Sequence, residues 1–134
     1  MVVALRLFFT VVLATMLGVT GWASTQVPLW GIPRAVGAHP WFLATLADTY
    51  WGFFTFYLWL AYKETSTVAR VLWFLAIVLL GNIAMASYGL AVTLRTPATA
   101  PIEAVLQRGR PVSPALPAAL LAGFGLIAAV AALA

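Results

Sequence analysis

At 134 residues, 64% hydrophobic and 7% charged, with a mean hydropathy of +1.05, the chain reads as one all-α integral membrane domain and lies outside the composition of soluble globular proteins. Its formal charge of +4 comes from scattered basic residues with no basic run or aromatic-interleaved patch, which argues against nucleic acid as a partner. It contains no cysteine, which excludes disulfides, thiolate metal sites and thiol nucleophiles; the lone His39 makes no metal cluster, so no metal and no cofactor are expected.

A spanning helix needs roughly 20 mostly apolar residues, and the uncharged stretches support four transmembrane helices, at about residues 3–24, 41–62, 68–94 and 116–134. The first run follows Arg6 and has the look of a secretory signal. It stays apolar to Trp22 and Ala23 and ends on "GWAS", a poor small-x-small cleavage site, so a retained helix is expected. Within it Thr10, Ala14, Gly18 and Gly21 fall close to one face, a small-residue strip that lets another helix approach. The following connection carries Pro28, Pro33 and Pro40 and reads as irregular and interfacial, with Trp22, Trp30 and Trp41 in one aromatic belt. Arg34 and His39 in the same connection read as snorkelling interfacial anchors, with binding of a lipid phosphate or a partner carboxylate as the alternative.

Span 2 ends at Lys63 and Glu64, and the short "KETST" turn returns the chain antiparallel into span 3, making a central hairpin. Span 3 is long for one crossing and is expected to tilt or protrude before Arg95, Pro97 and Pro101 end it. "PIEAVLQRGR" reads as a short interfacial helix before span 4, with Ile102, Val105 and Leu106 on one side and Glu103, Gln107, Arg108 and Arg110 on the other. Span 4 is nearly all Ala, Leu, Gly and Val, and is the most weakly anchored. Four crossings place Arg6, Lys63 and Arg70 on one side of the membrane and Arg34, Arg95, Arg108 and Arg110 on the other, a near tie in the bias that orients membrane proteins. The first group lies tight against span ends, which favours the N-terminus inside; dual insertion is the alternative.

Asp48 is the residue that demands an explanation. A carboxylate near the centre of a spanning helix costs roughly 2.5 to 3.5 kcal/mol on insertion scales and seeks a partner or water. With the hairpin turn centred near Thr65, Asp48 and Asn82 lie at the same depth, roughly 25 Å from the turn. Thr45, Asp48, Gly52 and Thr55 form a narrow small or polar face on span 2, and Asn82, Ala86, Gly89 and Thr93 a matching strip on span 3. These spacings predict an Asp48–Asn82 hydrogen bond inside the bundle, with Tyr50 or Tyr88 as further donors, and a lower melting temperature for Asp48→Leu. Such a pair is structural glue, or, if burial raises the carboxyl pKa, a proton carrier. Glu64 beside Lys63 is expected to act electrostatically and as a cap, with Glu64 or Thr65 near the start of span 3, rather than as a catalytic group. No catalytic residue is assigned.

The segments "LATMLGVTGWAS", "PLWGIPRAVGAHPWFLATLADTYWGFFTFYLWLAYKETS" and "ARVLWFLAIVLLGNIAMASYGL" resemble a bacterial and plant family of small membrane proteins, domain of unknown function fourteen seventy-five. The resemblance covers roughly residues 10 to 110 and rests on the combination of "HPWF", "YKE" and "LGN". It implies a hairpin core, with Trp22, His39, Pro40, Trp41, Asp48, Lys63, Glu64, Gly81, Asn82 and Tyr88 in the recognisable segments, and assigns no activity.

Three functions are compatible with these features. The first is a non-catalytic accessory or assembly subunit of the bacterial inner (plasma) membrane that packs against lipid, a larger membrane protein complex or further copies of itself. The second is a proton-coupled small-molecule transporter acting as an oligomer through Asp48. The third is a membrane enzyme using Asp48 as general acid on a lipid or prenyl substrate, which requires an apolar pocket beside that carboxylate.

Overall fold

A computed structural model describes residues 1–107, 109 and 111–133. Among these residues the structure is helical throughout, with no strand. Seven α-helices follow one another: α1 (Val2–Gln26), α2 (Arg34–Gly37), α3 (Pro40–Lys63), α4 (Thr67–Leu80), α5 (Asn82–Leu94), α6 (Glu103–Leu106) and α7 (Ala115–Leu133), with one 3-10 turn at Leu29–Gly31. Two of them, Val2–Gln26 and the stretch Ala115–Ala132 of α7, are long and apolar enough to cross a membrane. The polar roles expected of Arg108 and Arg110, and the end of the last span at Ala134, lie outside the described residues.

The expected single helix over 68–94 is instead two helices that double back. α4 ends and α5 begins at Gly81, whose φ of +54° and ψ of −124° is backbone geometry open to glycine. Trp73 and Tyr88 would lie about 22 Å apart along one continuous helix. Their ring centroids are instead 5.0 Å apart. The turn is tight as well as strained: a Cβ on Gly81 would stand 2.6 Å from the Phe53 ring. Hydrogen bonds from Tyr50 Oη to the Val78 carbonyl (3.2 Å) and from Tyr57 Oη to the Arg70 carbonyl (3.2 Å) lay α4 antiparallel on α3. Pro40 opens α3 at a position where a missing N–H is harmless. Ser66 caps α4, its hydroxyl accepting from the Ala69 N–H at 3.3 Å, so the cap is neither Glu64 nor Thr65.

α1 makes its most extensive contact with α5 and runs antiparallel to it. The packed face of α1 carries Val2, Leu5, Arg6, Phe9, Val12, Leu13 and Met16 at helical spacing. The small strip Asn82, Ala86, Gly89 and Thr93 is a packing face as expected, but α1 is what approaches it: a Cβ on Gly89 would overlap the Phe9 ring. The strip Thr10, Ala14, Gly18 and Gly21 faces outward, with no atom near the position of a Cβ at either glycine. α7 packs on α4 through Leu116, Pro117, Leu120 and Leu121.

One end of the bundle therefore gathers the start of α1, the α3–α4 turn, the end of α5 and the start of α7. The core sits at this end and is built from Phe53, Leu60, Trp73, Ile77, Ala84, Tyr88 and Val92. At the other end α1 beyond Met16 and α3 before Thr49 are mostly exposed.

Candidate functional site

The densest polar arrangement lies where the α3–α4 turn meets α5 and the approach to α7. Lys63 and Glu64 are fully buried. Glu64 Oε1 accepts from the Tyr88 hydroxyl and from the Val112 backbone N–H, both at 2.9 Å. The Glu64 main-chain carbonyl accepts from Arg70 Nε (3.0 Å) and Nη2 (2.7 Å), and Lys63 Nζ donates to the Gln107 carbonyl at 2.6 Å. One dipeptide thus holds α4, α5, the residue after α6 and the approach to α7. Its chemistry is charge-assisted hydrogen bonding at the buried ends of helices.

Tyr88 is the centre of an aromatic box. Phe56, Trp59 and Trp73 meet it edge-on at centroid distances of 6.2, 5.7 and 5.0 Å, the arrangement that ring quadrupoles favour. Trp59 and Trp73 come from α3 and α4, so the box closes only because Gly81 turns α5 back. Three polar atoms buried near this box, Glu64 Oε2 and the indole nitrogens of Trp59 and Trp73, have no hydrogen-bond partner among the described residues.

A second set of cations closes the same end of the molecule. Arg6 Nε and Nη2 donate to the Thr93 carbonyl at 3.1 Å, and Nη2 also reaches the Thr96 carbonyl at 2.7 Å. Thr93 is in the last turn of α5 and Thr96 lies two residues past its end, where the helix dipole favours a cation. Arg95 Nη1 donates to the Pro111 carbonyl at 2.8 Å.

The expected Asp48–Asn82 hydrogen bond does not form. Asp48 is exposed and Asn82 half-buried, and α3 touches α5 only slightly. The reason is the turn at Gly81, which makes Asn82 the first residue of α5 instead of a mid-helix residue of a long span. Thr45, Gly52 and Thr55 share the exposed face of α3; the threonines bond back to the carbonyls of Trp41 and Trp51. Phe53, Tyr57 and Leu60 face the core instead. The two tyrosines are engaged elsewhere, Tyr50 with Val78 and Tyr88 with Glu64. Trp22, Trp30, Arg34, His39 and Trp41 are all exposed around the connection between α1 and α3. Glu64 was visible as a charged residue at a span end, but nothing in its neighbours pointed to Tyr88 or Val112.

An apolar cavity of about 230 Å³ lies between α1, α3, α5 and α6, lined by Leu5, Phe9, Trp59, Gly89, Ile102, Val105 and Leu106. An open groove of about 330 Å³ is lined by Tyr62, Glu103, Leu106 and Gln107. Neither is lined by Asp48 or Glu64. No cluster of three or more metal-ligating side chains occurs among the described residues.

The family model described as Protein of unknown function (DUF1475) matches residues 1–113. The chain belongs to this family. The match to the DUF1475 family takes in α1 to α6 and the Lys63–Glu64 latch with both of its donors, Tyr88 and Val112, and stops short of α7. No curated protein and no solved structure matches the chain.

Proposed function

We propose that the chain is a non-catalytic accessory or assembly subunit of the bacterial inner membrane, one that packs against a larger membrane complex, lipid or further copies of itself. One observation carries this reading. Lys63, Arg6 and Arg70 donate to main-chain carbonyls and Glu64 accepts from Tyr88 and Val112, while two small-residue faces, Thr10 to Gly21 on α1 and Thr45 to Thr55 on α3, have no neighbour among the described residues. In a bilayer, such faces let a second protein's helices approach to backbone distance. Composition supports the membrane location, as do the two helices long enough to cross. The test is affinity purification of the tagged protein from its native membranes in mild detergent, followed by native mass spectrometry. A stoichiometric complex is expected; a lone monomer carrying only detergent rejects the reading.

Proton-coupled transport by an oligomer has one observation in its favour: Asp48 is an exposed carboxylate on a helix face that none of the other described residues covers. A carboxylate facing lipid is costly, and a second copy would relieve that cost. This reading expects a pH-dependent flux in proteoliposomes that disappears in Asp48→Asn. A flux that survives the substitution rejects it.

A further inference from the structure

The near tie in basic residues depended on four crossings, and the half-length pair α4 and α5 removes that premise. With 14 and 13 residues, they rise about 21 and 20 Å, well short of a hydrocarbon core of about 30 Å. α1 and α3, with 25 and 24 residues, reach about 37 and 36 Å, and the 19 residues of α7 about 28 Å. The fold-back at Gly81 returns the end of α5 to the end of the bundle from which α4 started.

The hydrogen bonds identify what shares that end. Arg6, near the start of α1, holds the carbonyls of Thr93 and Thr96; Lys63 holds Gln107; Arg95 holds Pro111; and Arg70 holds the α3–α4 turn. Four of the five basic side chains among the described residues therefore lie together: Arg6, Lys63, Arg70 and Arg95. The fifth, Arg34, lies at the opposite end with Trp22, Trp30 and Trp41. Glu64 and Glu103 are the described acidic residues at this end, so the described side chains here sum to a positive formal charge.

We infer that the chain makes three crossings, α3 crossing by its length although only α1 and α7 are also apolar enough, with one half-depth hairpin, and that its cationic end lies on the cytoplasmic side. Lysine and arginine next to span ends set orientation, the side that keeps them being the cytoplasmic one. The opposite end, with its exposed tryptophans, faces the other side. The inference rests on the membrane location and is independent of the accessory role.

The absence of cysteine makes the test direct. Single cysteines are placed at three exposed positions, Ala38→Cys, Thr65→Cys and Thr99→Cys, and challenged with a membrane-impermeant maleimide in spheroplasts before and after permeabilisation. Ala38→Cys is expected to label in intact spheroplasts, and Thr65→Cys and Thr99→Cys only after permeabilisation. Four crossings would put Thr65 and Thr99 on opposite sides, so labelling of one without the other overturns the half-depth hairpin. Labelling of both with protection at Ala38 overturns the orientation, and partial labelling at all three means dual insertion and overturns it as well. Release of the wild-type chain by alkaline carbonate would overturn the membrane location itself, and that result is read separately. A partner found or missing on purification alters none of these outcomes.

Discussion

Glu64 accepts two hydrogen bonds on one carboxylate oxygen, from Tyr88 on α5 and from the main chain at Val112. Removing the phenol oxygen takes a donor from a fully buried carboxylate, and a hydrogen bond to such a group is worth about 1.5 to 3 kcal/mol. Tyr88→Phe should therefore lower the melting temperature in detergent without changing secondary structure. In a double-mutant cycle with Glu64→Leu, which removes the acceptor, the two losses should be less than additive, since both remove the same bond; full additivity would place Tyr88 and Glu64 in separate roles. Asp48 is the contrasting case. Its exposure reverses the expectation drawn from spacing, so Asp48→Leu should leave the melting temperature of the isolated protein within about 0.5 kcal/mol of wild type. A clear loss of stability would reinstate an internal partner for Asp48.

Among the elements, two glycines decide how the helices meet. Gly81 provides a backbone turn that a side chain would strain, and it seats the Phe53 ring; strain of this kind costs about 1 to 3 kcal/mol. Gly89 lets α1 lie against α5, with the Phe9 ring in the space that a side chain would occupy. Gly89→Ala should destabilise by about 1 to 3 kcal/mol through overpacking. Phe9→Leu, by freeing that space, should return part of the loss in the double variant; no recovery would mean that the two helices are held apart from this contact. Gly18 and Gly52 form the complementary pair, since a side chain at either meets nothing. Gly18→Leu and Gly52→Leu should melt like wild type yet fail to recover the partner on affinity purification. Unchanged recovery would remove the small-residue faces from the accessory reading.

Across the whole molecule, α3 passes the core at its second half only, and α1 at its first. The bundle is thus packed at one end and open at the other, a form that follows from pairing two half-length helices with three long ones. α7 lies on α4 through Leu116, Pro117, Leu120 and Leu121, beyond the residues that the family model covers. A chain ending at residue 113 keeps the Val112 N–H but uncovers α4, and should melt at a lower temperature in the same detergent assay. An unchanged melt would mean that α7 is an independent appendage.

Hydrophobic runs marked where helices form, because a run of apolar side chains cannot remain in water; α1 (Val2–Gln26), α3 (Pro40–Lys63) and α7 (Ala115–Leu133) are helices in three of those runs. The spacing carries one apolar run across Gly81–Asn82, and no feature of that run marks the reversal at Gly81. The order of residues alone thus gives an all-helical, strongly apolar chain of this family, with the described charged residues other than Asp48 near helix ends. Only the tertiary structure decided that α5 turns back, that Glu64 meets Tyr88 instead of Asp48 meeting Asn82, and that four cations share one end. The physical reason is that a helix's period states which residues share a face, while the helix that covers that face is set by one backbone angle pair at Gly81 and by which rings fit over Gly89.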